Sequence, residues 1–211
     1  MRTGIILLLA YMAGMQVSIA EMAEPTETDL QRMLRGEVLV QTVHEEKSGG
    51  AARVTAVFHA NIERVWAVIE SCKHQFTYVR GLEYCEVLDS GKSFMKKRHR
   101  VNNNWYTPTI DFTFYASTSS DTLGEFHLLE GNLKVMEGRW EFQRLADRDA
   151  LLVTHEIRIR SRFPAPRWLV RRVLKKDLPD MLGCMRGLAA ASGNPIRLAD
   201  DLTRCPGELN P

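Results

Sequence analysis

His155-Glu156 is the first place where residue types could perform chemistry, because a helical His-Glu-x-x-His would hold zinc and supply a general base. The position that would carry the second histidine is Ile159, so the ligand pair is absent. The surrounding residues alternate as a strand, which sends His155 and Glu156 to opposite sides. Glu156 then shares an outer face with Arg158 and Arg160, and His155 points inward with Val153 and Ile157. An inward histidine is a hydrogen-bonded core residue, a polar anchor for a ligand carbonyl or hydroxyl, or an acid/base. No GxSxG elbow, P-loop or dinucleotide fingerprint occurs anywhere in the chain. Asp111, set among strand residues, reads as an exposed partner for Lys or Arg, with a catalytic role as the alternative. No catalytic residue, metal site or cofactor is assigned, and the chain is not expected to be an enzyme.

Three other groups carry chemical information. Phe112 and Phe114 share one strand face with Ile110 and Ala116, and Met136, Trp140 and Phe142 share a face on a neighbouring strand. Such faces build either a solid core or the wall of an apolar pocket. From Ile157 to Lys176 there are eight Lys/Arg and no acid. Trp168, Arg171, Arg172, Lys175 and Lys176 within this run suit an anionic membrane surface; the alternative is a solvated face. The four cysteines, Cys72, Cys85, Cys184 and Cys205, form no CxxC pair. They allow three pairings, of which proximity favours Cys72–Cys85 with Cys184–Cys205, and the alternative is buried free thiols.

The elements that must position these groups follow from period and punctuation. Val38 to Val43 and Arg53 to His59 read as a first hairpin around Ser48-Gly49-Gly50. Asn61 is a good N-cap, and Ile62, Val65, Trp66 and Ile69 fall at helical spacing. A second helical turn is expected over His74 to Val79. Six strand segments follow from Leu82 to Ser161, separated by turn residues such as Ser90-Gly91 and Gly131-Asn132. Connections this short require antiparallel neighbours. Pro166 opens a last helix running to about Ala191, with Val170, Leu174, Met181, Met185 and Leu188 on one face. Pro179 should kink that helix near Lys175. The long sheet must cover its apolar face, and this helix is the large amphipathic element available.

The chain has 211 residues, about one domain, and a formal net charge of +2, so a globally basic nucleic-acid binder is excluded. Arg2, the apolar run Ile5 to Ala13 and Ser18-Ile19-Ala20 have the pattern of a signal peptide over residues 1–20. The alternative is an uncleaved anchor. Export, to a bacterial periplasm, is therefore expected. Residues 21–35 are expected to be a flexible leader, 36–193 the folded domain and 194–211 an irregular tail.

Four segments, in this order and spacing, carry a likeness: Ile62-Glu63-Arg64-Val65-Trp66-Ala67-Val68-Ile69, Leu129-Glu130-Gly131, Gly138-Arg139-Trp140-Glu141-Phe142 and Pro166-Arg167-Trp168-Leu169-Val170-Arg171-Arg172 leading into Asp177-Leu178-Pro179. Through them the sequence resembles the polyketide cyclase/dehydrase branch of the START and birch-pollen-allergen superfamily, which includes coenzyme-Q-binding proteins. The resemblance implies an α+β helix-grip fold, in which a curved antiparallel sheet wraps a long C-terminal helix and a short helical pair follows the second strand. It also implies a cavity holding a lipid, isoprenoid quinone, sterol or polyketide. On that reading Phe112, Phe114, Trp140, Phe142, His155, Met181 and Met185 line the cavity. A cyclase-like enzyme and a ligand-free interaction module are the two alternatives.

Overall fold

A computed structural model describes residues 24–44, 48–102, 108–146, 149–190 and 205. Eight strands form one antiparallel sheet: β1 (Leu39–His44), β2 (Gly49–Phe58), β3 (Leu82–Ser90), β4 (Phe94–Val101), β5 (Ile110–Ser120), β6 (Leu123–Gly131), β7 (Leu133–Leu145) and β8 (Ala150–Ser161). Their order is β1-β2-β8-β7-β6-β5-β4-β3. Every sequential pair from β3 to β8 is therefore a neighbour, and β2 closes on β8 because the helical pair α2 (Ile62–Glu70) and α3 (Cys72–Tyr78) intervenes. Asn61 caps α2 by accepting the Arg64 N–H at 2.9 Å. Gly131 has φ +130°, and a Cβ there would strike the backbone of Asp111, so the β6–β7 connection requires glycine.

The C-terminal helix is not continuous. α4 (Arg167–Arg172) passes through a π-helical turn (Val173–Asp177) into α5 (Leu178–Ala189). Pro179 lacks an N–H, and its ring crowds the Lys175 carbonyl four residues earlier. Widening that turn relieves the clash, and the Leu178 N–H accordingly reaches back to Val173. The expected kink thus takes the form of a wide turn. Asp177, half-buried within it, accepts from Arg80 Nε at 3.0 Å and ties the turn to the end of the helical pair. Burial holds the Asp177 carboxyl above its ordinary value, against the opposing pull of Arg80 and Arg172.

One large core fills the space between β2, β8, part of β7 and α5, with Phe58, Val54, Val153, Leu182 and Met185 fully buried. A smaller one lies on the other side of β2. There the chain departs from the flexible leader expected over 21–35, because Glu27–Leu34 form helix α1. Thr26 accepts from the Asp29 N–H, and Asp29 accepts from the Thr26 N–H, a complete capping box. Leu30, Met33 and Leu34 then share a face that packs on Val57 and Ala150. A polar, acidic segment is ordered because three apolar residues sit at helical spacing and have an apolar sheet face to meet. Residues 1–20, read as a signal peptide, lie outside the described residues, as does the tail 194–211 apart from Cys205. No helix among the described residues is long and apolar enough to cross a membrane.

Candidate ligand-binding cavity

Alternation on β4 and β5 places Met95, Lys97 and His99 opposite Ala116, Phe114 and Phe112 on the concave side of the sheet. Here α3 and the start of α5 roof the sheet without filling the space below. The result is a cavity of about 340 Å³, walled by β4 to β8, α2, α3 and α5. That lies within the usual range for small-molecule sites. Its lining combines exposed residues, among them Lys92, Ser93 and Glu125, with buried ones, among them Met136, Trp140 and His155. Trp66 also lines the cavity, held by an Nε1–H bond to the Asp121 carbonyl at 2.7 Å and pressed onto Gly124. A Cβ at Gly124 would come within 2.5 Å of the Trp66 ring.

The buried wall on β7 and β8 carries His155 stacked on Trp140, with ring centroids 3.8 Å apart. Its Nδ1–H donates to the Arg139 carbonyl at 3.3 Å, which leaves Nε2 as the ring's acceptor. Burial pushes the His155 pKa down to about 3, so the imidazole is neutral. A second polar group sits between α3 and β4. Gln75 donates from Nε2 to the Ile69 carbonyl at 2.8 Å, which fixes its amide, and its Oε1 accepts from His99 Nε2 at 3.1 Å. Lys97 Nζ donates to the same Oε1 at 3.3 Å and to the Glu70 carbonyl. Lys97 is 2% exposed. Burial pushes its pKa down to about 8, against the pull of the Glu70 carboxylate. His99 is pushed down to about 3 by burial and by the neighbouring Lys97 charge. A disulfide joins Cys72, at the start of α3, to Cys85 on β3, and Cys85 Sγ lies 3.4 Å from His99 Nε2. The second disulfide, Cys184–Cys205, lies within the main core.

Of the residues read from the sequence as lining, Phe112, Phe114, Trp140, His155 and Met181 border the cavity. Phe142 and Met185 do not. They face the concave side but lie where the space is filled, Phe142 against the Trp66 ring at 4.8 Å and Met185 fully buried in the core. Alternation gives the face of a strand and says nothing of position along the groove. Lys97, His99 and Gln75 were missed. Lys97 and His99 alternate with Met95 and Val101 on one face of a strand that otherwise reads as charged and exposed, and that alternation was the available signal. Asp111 accepts from Arg98 and Arg100 on the outer face, and the Arg98 hydrogen bond holds its carboxyl below its ordinary value. Glu156 is buried between Arg53 and Arg139. Among the described residues no group of three His, Cys, Asp or Glu could hold a metal ion.

Trp168 on α4 is 52% exposed and Phe163, just before that helix, is 47% exposed; Arg171 and Lys175 are exposed as well. Arg172 and Lys176 are partly balanced by Asp177 and Asp180, at 3.8 Å and 3.3 Å.

A curved antiparallel sheet that grips a C-terminal helix over an apolar cavity defines a helix-grip protein of the START type. Three solved structures share the fold. A STAR-related lipid transfer protein from Xanthomonas axonopodis has 14% identity over 72% of this chain and 92% of its own, with a TM-score of 0.60. Human STARD10 has 9% identity over 80% and 81%, with a TM-score of 0.60. A START superfamily protein from Mycobacterium smegmatis has 15% identity over 73% and 97%, with a TM-score of 0.51. No curated protein sequence matches the chain. Residues 58–186 match the family described as polyketide cyclase/dehydrase and lipid transport. The chain belongs to that family, whose members bind hydrophobic small molecules.

Proposed function

We propose that this protein binds and carries a hydrophobic small molecule, of the lipid, isoprenoid quinone or sterol kind, between β4 to β8 and the helices above them. The observation that carries this reading is the cavity itself, about 340 Å³ walled by Phe112, Phe114, Met136, Trp140 and Met181 and partly open to solvent. A folded core of this size is normally close-packed, so apolar space on this scale is a site for something apolar. The exposed Phe163, Trp168, Arg171 and Lys175, all within residues 163–175, support a docking face for an anionic bilayer, where each cation contributes on the order of 1 kcal/mol. The two disulfides and the apolar Ile5 to Ala13 run support an exported protein.

Purified protein, extracted with organic solvent and analysed by mass spectrometry, should release a stoichiometric apolar compound. A neutral fluorescent probe should bind the stripped protein with micromolar affinity or better. Failure of both removes the carrier reading. Sedimentation with vesicles containing anionic lipid should fall when Arg171, Arg172, Lys175 and Lys176 are neutralised together. The buried Lys97 and His99 favour one second reading, a cyclase-like enzyme on a polyketide. Turnover of a poly-β-ketone substrate, abolished by replacing either residue, would put it ahead.

A further inference from the structure

The charged groups along the cavity differ in their surroundings. The side chains of Glu70, Lys92 and Glu125 are exposed, and water solvates them. Lys97 is the buried one. Its ammonium has three donors, and its partners are two neutral oxygens, the Glu70 carbonyl and Gln75 Oε1. No carboxylate among the described residues lies within ion-pair distance of it. His99, sharing Gln75 Oε1, is neutral and brings no charge. Around these groups stand the rings of Phe112 and Phe114, edge-on to His99 at 5.6 Å and 5.0 Å.

A buried ammonium whose hydrogen-bond partners are two neutral oxygens, with the Glu70 carboxylate acting on it only from beyond ion-pair distance, is unfavourable. Lys97 borders a space large enough for a ligand. An anionic oxygen placed there would gain far more than in water, because the local dielectric is low. A neutral carbonyl would accept a hydrogen bond but leave the charge unbalanced. A phosphate near its dianion would exceed one cation and bring a new excess charge inside. A carboxylate matches the single ammonium.

We propose that the cavity takes an amphiphile with a single carboxylate head, paired to Lys97 Nζ, whose apolar chain runs past Phe112 and Phe114 to Met136 and Trp140. This rests on the carrier reading and names the class of its cargo. Gln75 and the Glu70 carbonyl act as positioning groups that hold Nζ towards the space.

The test is displacement of N-phenyl-1-naphthylamine, a neutral probe, from the full chain by dodecanoate, 1-dodecanol and dodecyl phosphate. Dodecanoate should displace it at concentrations at least about tenfold lower than either of the others, as expected of a buried charge pair. Lys97→Met should remove that preference, bringing dodecanoate to within about twofold of 1-dodecanol in the same variant. Lys97→Gln, which keeps a donor without the charge, should do the same, with circular dichroism checking each fold. Equal affinity of wild type for acid and alcohol overturns the proposal and leaves the carrier reading standing. So does a preference that survives both substitutions, and tighter binding of the phosphate overturns the carboxylate assignment. Probe that fails to bind at all overturns the carrier reading and this proposal with it.

Discussion

The sheet has two halves that meet the helices differently. Along β2 and β8 the concave face presents Ala52, Val54, Ala56 and Phe58 beside Leu151 and Val153, and α5 packs directly on it with Leu182 and Met185 fully buried. Along β4 and β5 the same face presents Met95, Lys97, His99, Phe112 and Phe114, and α3 roofs it at a distance. Small residues on β2 let the helix come close, and the curl of the sheet carries β4 and β5 away from it. The solid half supplies stability and the hollow half supplies space. Each disulfide belongs to one of them, Cys184–Cys205 to the filled core and Cys72–Cys85 to the polar flank of the cavity.

The strongest way to break this division is to remove volume from the solid half. Phe58 is fully buried, and Phe58→Ala should lower stability by about 3–5 kcal/mol, read as a shift in the urea midpoint. Opening the Cys184–Cys205 link by replacing both cysteines with serine should cost about 3 kcal/mol, since a loop spanning 21 positions is released. Midpoints that barely move in either variant would mean that this half is not the stabilising one.

Removing a ring from the hollow half should matter less. Phe114 borders open space, so Phe114→Ala forfeits contacts on one side only, and the expected loss is about 1–2 kcal/mol. Affinity for an apolar probe should fall at the same time. A loss as large as that of Phe58→Ala would show that the space is filled in solution.

The same division explains how far the sequence could be read. Strand alternation, turn residues and Pro166 gave the element order and turned His155 inward, because these are local signals. The grip helix was expected as one kinked element, and the wide turn before Pro179 is the form the kink takes. α1 was overlooked because acidic residues and Pro25 dominate its neighbourhood, although Thr26 and Asp29 carry a capping pattern and Leu30, Met33 and Leu34 a helical one. Phe142 and Met185 were assigned to the cavity because they face it, but where the helix closes on the sheet depends on the curvature of all eight strands. Lys97 and His99 escaped because a basic strand resembles a solvated one until its partner, the Phe112 and Phe114 face of β5, is known.

The smallest expected effect has the opposite sign and tests the hollow half most directly. Lys97→Met should stabilise the ligand-free protein by on the order of 1 kcal/mol near pH 7, because it removes a buried charge. The gain should depend on pH. The Lys97 pKa falls from 10.5 in an open chain to about 8 in the fold. Below pH 8 the amine is charged in both states, and the native state carries the full burial penalty. Between about pH 8 and 10.5 the unfolded chain binds more protons than the native one, so wild-type stability rises with pH through this window. Other lysines and tyrosines also titrate there, but they are common to both proteins and cancel in the difference. The advantage of Lys97→Met should therefore be largest at pH 7 and decline to nothing or change sign by pH 10, measured as the gap between urea midpoints. A gap that stays constant would place the ammonium in water, outside the cavity wall, and would erase the chemical contrast between the two halves.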